Sequence, residues 1–180
     1  MTKGTNLIPL VKMARKQRPA FQAVLPPETQ DFIESYLLTG SWYPELHLEQ
    51  LLVAADRVHG TGDLTICRKL GRYLAETNLQ TIYKSLFVAG DPKSTLSLLP
   101  RLWSLSHDTG TVAVAQISPG VTRLVLVGFE APGLALCASI AGWIEGAVGV
   151  AGGQGQVAEE RCRLRGDDDC TFSAHWTMSA

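Results

Sequence analysis

Between Cys137 and Cys170 an apolar segment of helical period, Cys137–Val150, runs into two short alternating segments carrying Glu159-x-x-Cys162 and Cys170 around the turn Gly166-Asp167-Asp168-Asp169. The helical segment is interrupted by Gly142, Gly146 and Gly149. Glycine there weakens a helix but lets a second backbone approach closely. The Gly-Asp run is a turn signal that closes a hairpin. This part of the chain therefore reads as a helix packed on a β-hairpin, and three of the four cysteines fall within it.

That arrangement suits a tetrahedral metal or a small sulfur-rich core. Zinc takes about four N, S or O ligands, and Cys137, Glu159, Cys162 and Cys170 would supply three sulfurs and one oxygen. Strand alternation offers Glu160 as a rival carboxylate, because it shares parity with Cys162. Simple packing of the cysteines as small apolar residues is the other reading.

The run Cys137-x4-Gly142-Trp143-x2-Gly146, then Glu159-x2-Cys162-x3-Gly166-Asp167-x2-Cys170-x-Phe172, resembles the C-terminal half of the 4-vinyl reductase domain. That domain shares a superfamily with haem nitric-oxide sensors and Golgi-tethering TRAPP subunits. Tyr43-Pro44 and Leu70-Gly71-Arg72 more loosely resemble an uncharacterised myxobacterial family with a related C-terminal half. The resemblance implies a homodimeric α+β domain that holds a small apolar ligand or presents its surface to a signalling partner. A phenol-sensing subgroup binds zinc through this kind of Cys…Glu-x2-Cys-x7-Cys set, although the loop between Gly146 and Glu159 is one residue shorter here. A haem sensor of the superfamily would need a proximal histidine and a Tyr-x-Ser-x-Arg motif. The motif is absent, and His47, His59, His107 and His175 are scattered with no carboxylate placed to orient one. Zinc is thus the expected cofactor and haem is not.

The earlier segments read as helices. Pro26-Pro27-Glu28 opens one that carries Phe32, Ile33, Tyr36 and Leu37 and ends at Gly40; Pro44 opens the next, over Leu46–Val58. A longer pattern covers Leu64–Ala89, and Ser94–Leu105 gives a fourth apolar face. The period then changes: Thr111–Ile117 and Val121–Phe129 alternate as strands about Ser118-Pro119-Gly120, and Gln156–Arg165 and Asp169–Trp176 form the second hairpin. The fold class is α+β, with N-terminal helices followed by a strand-strand-helix-strand-strand antiparallel sheet unit. Residues 1–20, with the basic cluster Lys12, Arg15, Lys16 and Arg18, read as a flexible arm ahead of a single domain over 21–180.

A hydrophobic content of 46% over 180 residues provides for one sizeable core. A net charge of −1 gives no global attraction to nucleic acid. No apolar run reaches the ~18 residues of a membrane span, so membrane insertion is not expected and a cytoplasmic setting is. Val125, Val127, Phe129, Ile140, Trp143, Ile144, Phe172 and Trp176 are expected to enclose a ligand pocket between helix and sheet. Ser104, Ser106, His107 and Asp108 hold nucleophile, base and acid types, but sequence neighbours rarely converge as a triad and no nucleophile elbow is present. The sequence therefore points to a non-enzymatic adaptor or sensor acting through protein contacts. Tetrapyrrole (bacteriochlorophyll) vinyl reduction and haem-based gas sensing are the alternatives.

Overall fold

The computed structural model describes residues 1–87, 89–130 and 133–178. A short strand β1 (Thr2–Lys3) leads into helices α1 (Gly4–Lys16), α2 (Arg18–Gln22) and α3 (Pro27–Glu34). Strand β2 (Trp42–Tyr43) pairs with β1. Helices α4 (Glu45–His59), α5 (Thr65–Gln80), α6 (Pro92–Ser97) and α7 (Leu99–Ser106) follow. The chain ends in β3 (Thr111–Ser118), β4 (Val121–Val127), α8 (Leu134–Val150), β5 (Gly153–Arg161) and β6 (Cys170–Met178). These four strands form one antiparallel sheet in the order β3-β4-β6-β5, so the α+β arrangement expected from the sequence is present.

Residues 1–20 are not a loose arm. Leu7, Leu10, Val11 and Ala14 recur at helical spacing and are fully buried, which makes α1 part of the core. Its basic residues fasten it to α3: Arg15 donates to the carbonyls of Ile33 and Ser35 at 2.5 and 2.6 Å, and Arg18 pairs with Glu34. Those bonds, with Ser35 Oγ donating back to the Phe32 carbonyl, take up the last carbonyls of α3, so the helix stops at Glu34 rather than running to Gly40. Leu48 and Leu52 are buried and Phe32 stacks on His47, while Tyr36 is 86% exposed. The single helix expected over Ser94–Leu105 breaks at Leu98, where Pro100 falls in the first turn of α7.

Helix α8 is held between α5 and the sheet, and glycine makes the α5 side possible. A Cβ on Gly71 would lie 1.9 Å from the Ser139 carbonyl oxygen, and one on Gly146 would lie 2.7 Å from that of Arg72. The start of α8 is set from a third direction. Glu49 of α4, itself buried, accepts the N–H groups of Ala135 and Leu136 at 3.1 and 2.7 Å. A carboxylate at a helix N-terminus satisfies orphan donors and complements the helix dipole. Gly133 leaves the room it needs, because a Cβ there would meet Glu49 Oε1 at 2.0 Å. No helix among the described residues is long and apolar enough to cross a membrane.

Candidate metal centre and central cavity

Cys137 lies in the first turn of α8, Cys162 follows β5, and Cys170 opens β6. The three Sγ atoms and a carboxylate oxygen of Glu159 all lie within 4.8 Å of one another. Cys137 and Cys162 are 4.0 Å apart at sulfur. Tetrahedral thiolates bound at ~2.3 Å from a metal sit about 3.8 Å from each other, so the spacing is close to that of a filled site. All three cysteines are buried. The sulfurs therefore face one another, with Glu159 partly exposed beside them.

The rivalry between Glu159 and Glu160 is settled by a bulge. The β5–β6 register shifts between Glu159 and Arg161, and this extra residue brings Cys162 onto the face that Glu159, opposite Phe172, already shares with Cys170. Glu160 goes to the other face, where it accepts from Ser173 Oγ at 2.5 Å. Glu159 Oε2 takes a hydrogen bond from Arg165, whereas Oε1 is buried with no partner. A buried carboxylate oxygen left unpaired is costly. Aimed at three thiols, it is an atom a cation would satisfy.

The turn is built to hold this geometry. Gly166 adopts φ 100° after a 3-10 turn at Arg163–Arg165, and Asp167 Oδ2 accepts the Cys162 N–H at 2.7 Å. Arg161 faces all three of Asp167, Asp168 and Asp169, which accounts for the acidic run as a paired turn. Within the cluster the thiols differ. A hydrogen bond from Cys137, aided by the Arg163 N–H, draws Cys170 down to about 6 despite burial. Cys137 is pushed strongly up by the same hydrogen bond, and then by burial. The pair thus favours the thiolate on Cys170 over that on Cys137.

On its opposite side α8 lines an internal cavity of about 80 Å3. Ile140, Trp143, Ile144 and Phe172 line it as expected, but Val125 and Val127 do not. Leu124 and Leu126 take their place, and Val127 is 49% exposed. Arg123 shares parity with Val125 and Val127 and marks theirs as the outer face of β4, while Leu124 and Leu126 point inward. Phe129 is buried outside the cavity against Trp103 and His107, and Trp176 lines a surface groove with Pro119 while bonding Thr122 Oγ1.

One feature of the cavity has no sequence-local signal. His107, at the C-terminal end of α7, lines it and stacks on Trp103 with centroids 4.1 Å apart. Its Nδ1 lies 2.8 Å from Glu45 Oε1, a carboxylate 62 positions away, and Nε2 has no partner among the described residues. A carboxylate that orients a histidine is therefore present, and only tertiary contact could reveal it. Asn78 and Ser139 also reach the cavity, both buried and with side chains that make no hydrogen bond to the described protein.

No protein-family model matches the chain, and no curated protein matches it. Solved structures do. An H-NOX protein from S. oneidensis in the Fe(II)NO ligation state shares 16% identity, with 97% of this chain and 99% of that one covered and a TM-score of 0.69. The Fe(II) unliganded H-NOX protein from K. algicida shares 10%, covering 98% and 97%, with a TM-score of 0.72. A further structure, described as probing haem distortion in the H-NOX family, shares 15%, covering 99% and 95%, with a TM-score of 0.69. The chain has the fold of H-NOX domains. At these identities the likeness carries the fold alone.

These neighbours overturn the adaptor reading and the exclusion of haem: the folds that match nearly the whole chain are those of H-NOX proteins, solved in Fe(II)NO and Fe(II) unliganded states and in work on haem distortion. They share the expected α+β fold and do not single out the 4-vinyl reductase domain. Nor do they support zinc in particular.

Proposed function

We propose that this chain is a ligand-sensing domain whose central cavity is the sensing chamber, in the form of a haem-based gas sensor. His107 carries the reading: a buried imidazole beside the cavity, its Nδ1 engaged by Glu45 and its Nε2 free, would be the nitrogen that holds a haem iron. Bound there, haem would supply an iron atom that takes up a diatomic gas. Glu45 fixes the imidazole's orientation, and Trp103 and Phe129 wall it from solvent. Asn78 and Ser139 offer unspent hydrogen bonds to what enters. No lysine or arginine lines the cavity to pair a propionate, and its 80 Å3 is below the several hundred typical of cofactor sites, so the side chains around Trp143 must open for a macrocycle.

Titration of the purified protein with haem tests this. The expected result is one equivalent bound with an imidazole-type Soret band that His107→Ala abolishes. Haem that binds without a defined spectrum, or binds the variant equally, overturns it. The cavity volume favours a second occupant, a small apolar molecule held without haem, since a 150 Å3 apolar cavity is known to take benzene or xenon. Xenon binding with no haem uptake would establish that case.

The four-donor cluster supports a separate proposal, a metal ion that pins α8 to the β5–β6 hairpin. The orphaned Glu159 Oε1 among three buried sulfurs is the observation behind it. Elemental analysis should find one thiophilic metal per chain, lost in Cys162→Ser. Metal-free protein of unchanged stability would leave the cysteines as core residues.

A further inference from the structure

The cluster is not sealed. A surface pocket of about 270 Å3 descends beside the N-terminal half of α8, and Cys137 and Glu159 form part of its wall. Leu134, Ala138 and Ala141 make its apolar side, with Arg68 and Arg165 as its cations. The two arginines differ. Arg68 is bound twice to Glu145 and once to the Val157 carbonyl, which commits it to the fold. Arg165, 52% exposed at its side chain, has Glu159 as its single ion-pair partner among the described residues.

Glu159 is therefore shared. One oxygen belongs to Arg165 and the other faces the sulfurs, so a cation in the cluster meets a carboxylate already half neutralised. Carboxylate is also the hardest of the four donors, and a thiophilic ion ranks it last. It is the most exposed of the four donors, its side chain 15% exposed, and on release it keeps its arginine. The cysteines, buried and held from α8, β6 and the turn between, have no such alternative.

Building on the proposed metal centre, we infer that the pocket admits a small thiol, which enters as its thiolate in place of Glu159. The thiol gives its proton to solvent, its sulfur joins the three cysteine sulfurs, and the Glu159 carboxylate withdraws onto Arg165. One anionic donor replaces another, so the charge at the centre is unchanged and no electron moves. The apolar wall of Leu134, Ala138 and Ala141 receives the thiol's carbon chain. The site thus reads a low-molecular-weight thiol from the surface, apart from the cavity on the other side of the same helix.

Cobalt(II) is the probe, because thiolate-to-cobalt absorption reports the sulfur count directly. Metal-free protein loaded with cobalt should show a three-thiolate band. Added 2-mercaptoethanol should then raise it saturably in the ratio of four sulfurs to three. Ala138→Phe, which fills the pocket without touching a donor, should load cobalt normally and lose that rise. Arg165→Ala, which returns Glu159 wholly to the metal, should shift the half-saturating thiol concentration upward several-fold. If no cobalt band forms at all, the metal centre fails and the exchange with it. A cobalt band that stays constant, falls through stripping of the metal, or rises equally in Ala138→Phe overturns the exchange alone.

Discussion

Gly142 of α8 rests directly on the backbone of Arg68 in α5: a Cβ at position 142 would lie 1.9 Å from the Arg68 carbonyl oxygen. The contact joins the helix that bears Cys137 to the helix that bears Arg68, so it sets the distance between both candidate sites and the helical layer. Backbone cannot yield as a flexible side chain can. Gly142→Ala should therefore cost about 1–3 kcal/mol by overpacking, or roughly 2–4 °C in Tm for each kcal/mol in a chain of this size. Gly149→Ala is the control. Nothing lies within 4 Å of a Cβ there, and the change should be neutral or stabilising by up to ~1 kcal/mol. Equal melting temperatures for the two variants would show that the helices are not in this close contact.

Glu145 makes the second link between α5, α8 and β5. Its side chain is 5% exposed and accepts from Arg68, Arg72 and the Val157 N–H. Burial alone would raise its pKa, but the hydrogen bonds from the two arginines and Val157 outweigh it and hold the carboxyl below its ordinary 4.5. A carboxyl depressed in the folded state stabilises it above the unfolded value and loses that contribution as pH falls through the folded one. Stability should therefore decline below pH 4.5, more steeply than in Glu145→Gln. At neutral pH that variant should be less stable by about 1–3 kcal/mol, through the lost charge-assisted bonds. Denaturant midpoints measured from pH 7 to pH 3 check both; parallel profiles would discount the network.

Glu49→Ala removes the acceptor for Ala135 and Leu136 at the start of α8. The loss is that of a helix cap, ~0.5–2 kcal/mol. Because Cys137 follows these residues directly in the first turn, amide exchange over residues 135–140 should quicken more than over 143–150. A uniform change along the helix would place the effect elsewhere.

How far these features could be read from the sequence depended on whether their cause was local. The helix-then-hairpin order and the cysteine spacing are local patterns, so α8, β5, β6 and the gathering of the three cysteines were legible. Val125 and Val127 were assigned to the wrong face although they share parity with Arg123, the charged residue that marks the outer face of β4. The Glu45–His107 pair joins residues from α4 and the end of α7, and no spacing rule reaches that far. Residues 4–16 looked like a solvated arm because their basic residues drew attention from Leu7, Leu10 and Val11, which had the helical period throughout.

The bulge at Glu159–Arg161 yields the last prediction, since it reverses what simple alternation gives. Parity alone aligns Glu160 with Cys162, yet the register shift brings Cys162 onto the face of Glu159 and leaves Glu160 with Ser173 and Arg123 on the outer face. Glu159→Gln should therefore weaken metal retention by ~10–100-fold, the range expected when one partner of a metal site is lost. Glu160→Gln should leave metal content unchanged and cost at most ~1 kcal/mol, because its ion pair with Arg123 is exposed. Competition against a chromophoric chelator measures both variants on one scale. If Glu160→Gln releases the metal and Glu159→Gln does not, β5 runs without the bulge, and the fourth donor has been placed on the wrong residue.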